Sequence, residues 1–118
     1  MRPLRVAVLG STGSIGRQAL DVAARFPERV TIVALAANSN ATLLAEQARS
    51  TGAERVVLAD AAAAARVGEL LGMPVDSGAA AIERLAGEGS ADIVLNALVG
   101  AAGLRASVAA LRSGVRLA

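Results

Sequence analysis

The residues with the clearest capacity for chemistry are Gly10-Ser11-Thr12-Gly13-Ser14-Ile15-Gly16, where glycines recur at intervals of three directly after a short apolar run. Glycine at Gly10 permits a tight turn, glycine at Gly13 lets a pyrophosphate approach the backbone without meeting a Cβ, and glycine at Gly16 lets a helix lie close on a sheet. The N-H groups and the positive dipole end of a helix starting here would face the phosphates, and Thr12 and Ser14 add hydroxyl donors. The opposing reading is steric, since strand-to-helix turns use glycine without binding anything. A second apolar run ends about twenty residues further on, the distance at which dinucleotide folds hold the adenosine ribose. There the chain reads Ala36-Ala37-Asn38-Ser39-Asn40, with no acid. An acid would hold ribose hydroxyls and repel a 2′-phosphate, so neutral donors favour NADPH over NADH by elimination. No arginine lies in the segment, the next being Arg49, and Asn40 also suits the cap of a following helix.

A third segment, Asn96-Ala97-Leu98-Val99-Gly100-Ala101-Ala102-Gly103, combines small residues at the end of another apolar run. It leaves room for a nicotinamide ring, or is an ordinary loop before a helix. Beyond these segments the means for catalysis are thin. The chain has no His, Cys, Lys or Tyr, which removes the usual general bases and nucleophiles. Asp21, Asp60, Asp76 and Asp92 are scattered, and helix starts and solvated faces account for them. Neither disulfides nor thiolate metal sites are available.

Five apolar runs position these segments: Arg5 to Leu9, Val30 to Ala37, Arg55 to Ala59, Ala91 to Leu98 and Val115 to Ala118. Continuous apolar character marks strands buried on both faces. Helical spacing lies between them, with Ile15, Ala19, Val22, Ala23 and Phe26 on one face and Leu104, Val108 and Leu111 on another. Within Ala61 to Gly89, Gly72-Met73-Pro74 breaks one helix and Ala79 to Ala86 forms another, with room for a minor strand between. Strands alternating with helices give a parallel sheet with right-handed crossovers, so the expected fold is α/β, a Rossmann-like open parallel sheet with helices on both faces. At 118 residues the chain is expected to be one domain, residues 1–118, built on Ala, Val, Leu and Ile, because hydrophobic residues are 54% of it and aromatics 1%. The 12 basic residues are all arginine, spread without runs, against 10 acids, which argues against nucleic acid as a partner. The N-terminal apolar run is too short for a secretion signal or a membrane span, so a cytoplasmic protein is expected.

Taken together, Gly10 to Gly16, Val33-Ala34-Leu35-Ala36-Ala37 and Asn96 to Leu104 resemble the 1-deoxy-D-xylulose 5-phosphate reductoisomerase family, a likeness running from Val6 to the last residue. The resemblance implies an NADPH-dependent enzyme of non-mevalonate isoprenoid synthesis that rearranges a sugar phosphate, then reduces the resulting aldehyde to 2-C-methyl-D-erythritol 4-phosphate. It implies a homodimer and a Mg²⁺ or Mn²⁺ ion whose ligands lie outside these 118 residues. The pyrophosphate loop falls on Gly10, Thr12, Gly13, Ser14 and Ile15, and the 2′-phosphate and adenosine contacts on Asn38, Ser39 and Asn40. Asn40 matches the family pattern, whereas Asn38 and Ser39 replace a glycine and a basic residue found in many members. The family pattern continues, after a strand like Val115 to Ala118, into an Asn-Lys-Glu-Ser segment and then catalytic and C-terminal domains. This chain alone is therefore expected to bind cofactor without turnover. Two other enzyme readings are weaker: a short-chain dehydrogenase needs a Tyr and Lys pair, and a semialdehyde dehydrogenase needs a downstream cysteine. A dinucleotide-binding sensor or interaction module is the reading outside enzymology.

Overall fold

A computed structural model describes residues 2–118. Its elements are β1 (Leu4–Leu9), α1 (Ser14–Arg25), β2 (Val30–Ala37), α2 (Ala41–Thr51), β3 (Arg55–Leu58), α3 (Ala61–Leu71), β4 (Asp76–Ser77), α4 (Ala79–Gly87), β5 (Ile93–Asn96), α5 (Gly100–Ser113) and β6 (Arg116–Leu117). All six strands are parallel, in the order β4-β3-β2-β1-β5-β6. This is the expected Rossmann-like sheet. The minor strand is the two-residue β4, whose Asp76 and Ser77 are exposed and carry no apolar signal.

Both faces of the sheet are covered, which is why its strands are apolar throughout. On one face Val8, Ile32, Leu35, Val56 and Leu58 pack with Ala23 of α1, Leu44 and Ala48 of α2, and Ala64 and Val67 of α3. On the other face Ala7, Leu9, Ala34, Val57 and Val94 pack with Ile82 and Leu85 of α4 and with Ala106 and Ala110 of α5. Each fully buried leucine, such as Leu9, Leu35, Leu44 or Leu58, contributes about 1.5–3 kcal/mol by leaving water. Helices α2 and α3 end on Gly52 and Gly72 in the left-handed conformation, which closes them without a Cβ penalty.

The expected apolar faces of the first and last helices are turned the other way. Ile15 and Val22 of α1 and Phe26 at its C-cap are exposed, as are Leu104, Val108 and Leu111 of α5. Small residues meet the sheet: in α1 Gly16 and Ala23, the one buried member of the expected stripe, and in α5 Gly103, Ala106 and Ala110. Helical spacing identifies a stripe but not its direction, and close approach to the sheet selects the side without bulky groups.

The candidate dinucleotide crevice

Strand order reverses at β1, which pairs with β2 on one side and β5 on the other. Leu9 is level with Ala36 and with Asn96, so the three motifs leave the carboxyl edge of the sheet side by side. Ligands of open α/β sheets bind at such a reversal. Backbone bonds lock the arrangement: Gly10 N donates to Ala36 O at 2.7 Å, and Ala97 N donates to Leu9 O at 2.8 Å.

The three glycines of the first motif separate into two kinds. Gly10 has φ +84°, and a Cβ there would sit 2.9 Å from the backbone of Ala97. A Cβ on Gly16 would collide with the Gly10 carbonyl and the Ser11 Cα. Both glycines are demanded by the fold. Gly13 is not, because its φ of −80° suits any residue and an added Cβ would meet only Gly10 O at an ordinary 3.5 Å. Exposed and unobstructed, it leaves space that no protein atom uses.

The start of α1 is equally open. Gly13 is its N-cap and gives no side-chain capping bond. The first backbone bond into the helix is Arg17 N to Gly13 O at 2.9 Å, and the N-H groups of Ser14, Ile15 and Gly16 have no backbone acceptor among the described residues. Thr12 is half-buried, and Ser14 and Ile15 are exposed. Three free donors at a positive helix end form an anion site. Helix α5, across the crevice, also starts without a side-chain cap, whereas α2 and α3 are capped by Asn40 and Asp60.

At the end of β2, Asn38, Ser39 and Asn40 are all exposed on the same edge. The Asn40 side chain accepts from Leu43 N at 3.2 Å, so the capping reading is realised. That bond commits Oδ1 and leaves Nδ2 for another acceptor. Arg49 stands at the far end of α2, where it donates to Leu70 O, too distant along the helix to serve this corner. The carboxylates take structural positions: Asp60 Oδ2 accepts from Ala63 N at 2.8 Å, and Asp92 accepts from Arg5 N at 2.9 Å and from Arg2 at 2.8 Å. Hydrogen bonds from Arg2, then from the Arg5 backbone, hold the Asp92 carboxyl below the usual carboxylate range.

Four supporting residues carry more than the sequence reading gave them. Asn96 donates through Nδ2 to Gly103 O at 2.7 Å and to Ser107 Oγ at 2.8 Å, while its Oδ1 accepts from Leu98 N, so it shapes the turn into α5. Gly103 is small for the same turn, since a Cβ would lie 2.5 Å from Leu98 O. Ser11 is fully buried, and Gln47 of α2 donates to its carbonyl at 2.8 Å. The available signal was a glutamine among Leu44, Ala45 and Ala48 on the buried side of α2. No three His, Cys, Asp or Glu side chains among the described residues are grouped to hold a metal. No described helix is long and apolar enough to cross a membrane.

The model of the 1-deoxy-D-xylulose 5-phosphate reductoisomerase family matches residues 6–118. The chain belongs to that family. Reductoisomerases from Rhodococcus jostii and Mycobacterium avium are 52% and 53% identical to it, over 99% and 98% of this chain. It covers 29% and 28% of those proteins, so it spans less than a third of the relatives' length. Among solved reductoisomerases, that of Zymomonas mobilis in complex with NADPH superposes with a TM-score of 0.92 at 40% identity, over 99% of this chain and 31% of that one. A second, in complex with NADPH, fosmidomycin and magnesium, gives 0.90 at 28% identity, over 97% and 29%.

Proposed function

We propose that these 118 residues are the N-terminal NADPH-binding domain of a 1-deoxy-D-xylulose 5-phosphate reductoisomerase. The observation that carries the proposal is Gly13: the fold tolerates a side chain there, and only a ligand lying on the loop needs its absence. The cofactor pyrophosphate rests on Gly10, Thr12, Gly13, Ser14 and Ile15, against the free N-H groups at the start of α1. Asn38, Ser39 and the Nδ2 of Asn40 take the adenosine 2′-phosphate. They do so as neutral donors, without a cation, so recognition of that phosphate rests on hydrogen bonds. The turn shaped by Asn96 and Gly103 leaves the crevice between β1 and β5 open for the nicotinamide.

Bound NADPH supplies the hydride that reduces the aldehyde formed from 1-deoxy-D-xylulose 5-phosphate, giving 2-C-methyl-D-erythritol 4-phosphate. The residues here bind and orient the cofactor. Catalytic groups, and ligands for Mg²⁺ or Mn²⁺, belong to the remainder of the longer protein, which works as a cytoplasmic homodimer. Support comes from family membership and from the NADPH and magnesium held by the related structures.

Calorimetric titration tests the proposal. NADPH is expected to bind at least about fivefold more tightly than NADH, the order of one additional hydrogen bond, and this chain with substrate and Mg²⁺ is expected to oxidise no NADPH. Tighter binding of NADH, or turnover by the 118 residues alone, would refute it.

A further inference from the structure

Gln47 is 8% exposed and lies on α2, 36 residues from the loop it touches. Its Nε2 donates to the Ser11 carbonyl at 2.8 Å in a buried setting. That carbonyl is four residues before Ile15, and is therefore the acceptor that Ile15 would use if α1 began two residues earlier. The Ile15 N-H has no backbone acceptor among the described residues. The other side of the Ser11 residue is also tied, since Ser11 N donates to Ala36 O at 3.1 Å. The loop is thus gripped by β2 through one group and by α2 through the other. A buried amide on an otherwise apolar helix face is costly to keep, and Gln47 Oε1 has no hydrogen-bond partner among the described residues. Packing alone does not explain a glutamine there, because leucine or methionine would fill the space without that penalty.

We infer that Gln47 is a positioning residue for the cofactor: by holding the Ser11 carbonyl toward α2 and away from Ile15 it stops α1 from winding two bonds further back, and so keeps the Ile15 N-H as a free donor to the pyrophosphate. The inference rests on the dinucleotide reading given above. It differs from a purely structural role in the sign of one effect. Loss of a structural bond loosens the loop and speeds amide exchange throughout it. Loss of Gln47 as a positioning residue frees the Ser11 carbonyl for Ile15, and Ile15 exchange slows.

The test compares the wild-type chain with Gln47→Met, which keeps the length and apolar bulk of the side chain, and with Gln47→Leu should the first variant fold poorly. In the unliganded chain, Ile15 amide exchange is expected to slow about fivefold in the variant, the protection of one hydrogen bond. By calorimetry NADPH is expected to bind about 5- to 10-fold more weakly, while adenosine 2′-monophosphate, which lacks the pyrophosphate, binds as before. Unchanged or faster Ile15 exchange overturns the inference, as does equal weakening for both ligands. If the wild type binds NADPH and the variant binds it equally well, the assignment of Gln47 fails while the proposed function stands. A wild-type chain that binds no NADPH refutes the proposed function itself, and the role of Gln47 with it.

Discussion

At the scale of single residues, the glycine motif divides by what each Cβ would strike. Gly16→Ala places a methyl against the Gly10 carbonyl and the Ser11 Cα, backbone atoms that cannot swing aside. We expect that variant to lose about 1–3 kcal/mol, the usual cost of overpacking, and to lose NADPH binding along with stability. Gly13→Val meets no such obstacle. It is expected to keep its helical circular dichroism and melting temperature close to wild type while NADPH affinity falls below detection by calorimetry. A valine variant that binds normally would show the loop to be steric punctuation. The sequence reading already gives Gly10 to the turn, Gly16 to helix–sheet packing and Gly13 to an approaching ligand, and the contacts a Cβ would make bear out the first two while leaving the space at Gly13 open. Asn40 teaches the converse, since its two readings were not exclusive: Oδ1 caps α2 and Nδ2 is left over.

At the scale of elements, β1, β2, β3 and β5 were legible because continuous apolar runs rich in β-branched residues are strong local signals, and α2 followed from their alternation with helices and from Asn40 as a cap. What could not be read was decided between elements. Strand β4 is defined only by pairing Val57 with Asp76 and Leu58 with Ser77. The outward stripes on α1 and α5 depend on which helix side is small enough to approach the sheet. Asp92, read as a solvated or capping acid, joins β5 to β1 through Arg5 N and Arg2. Its carboxyl is held below the ordinary range, so its stabilisation is fully present above the unfolded value and is lost as pH falls through the lower folded value. Asp92→Asn is therefore expected to melt below the wild type at pH 7, with the gap closing below about pH 4. Thermal melts across that range check the sign; a gap that widens in acid would contradict it.

At the scale of the molecule, the large apolar groups left in solvent gather on two helices, Leu70 of α3 apart. Ile15, Val22 and Phe26 lie on α1 or at its C-cap, and Val99, Leu104, Val108 and Leu111 lie at the start of α5 or along it. These helices sit on opposite faces of the sheet, and the two-residue β6 has one side unpaired. Contiguous apolar surface and an open strand edge promote association. The isolated chain is expected to sediment as a monomer at low micromolar concentration and as larger species at several hundred micromolar; a monomer throughout would show that these stripes are too interrupted to hold copies together.

The strand order also sets when the crevice can exist. Strand β1 pairs with β2 across a short stretch of chain, but its other neighbour, β5, arrives far later, with Arg5 and Asp92 separated by 87 positions. Closing a longer loop costs more entropy, so the near pairing is the easier one to make first. A polypeptide emerging from the ribosome can assemble β1, α1, β2, α2 and β3 while Asn96 and Ala97 are still unmade. During that interval the Gly10–Gly16 loop has one wall and no opposite side. On the proposed reading, NADPH can act as a folding ligand only for a chain already synthesised past Gly103, and it can reward completion of the sheet but not its beginning.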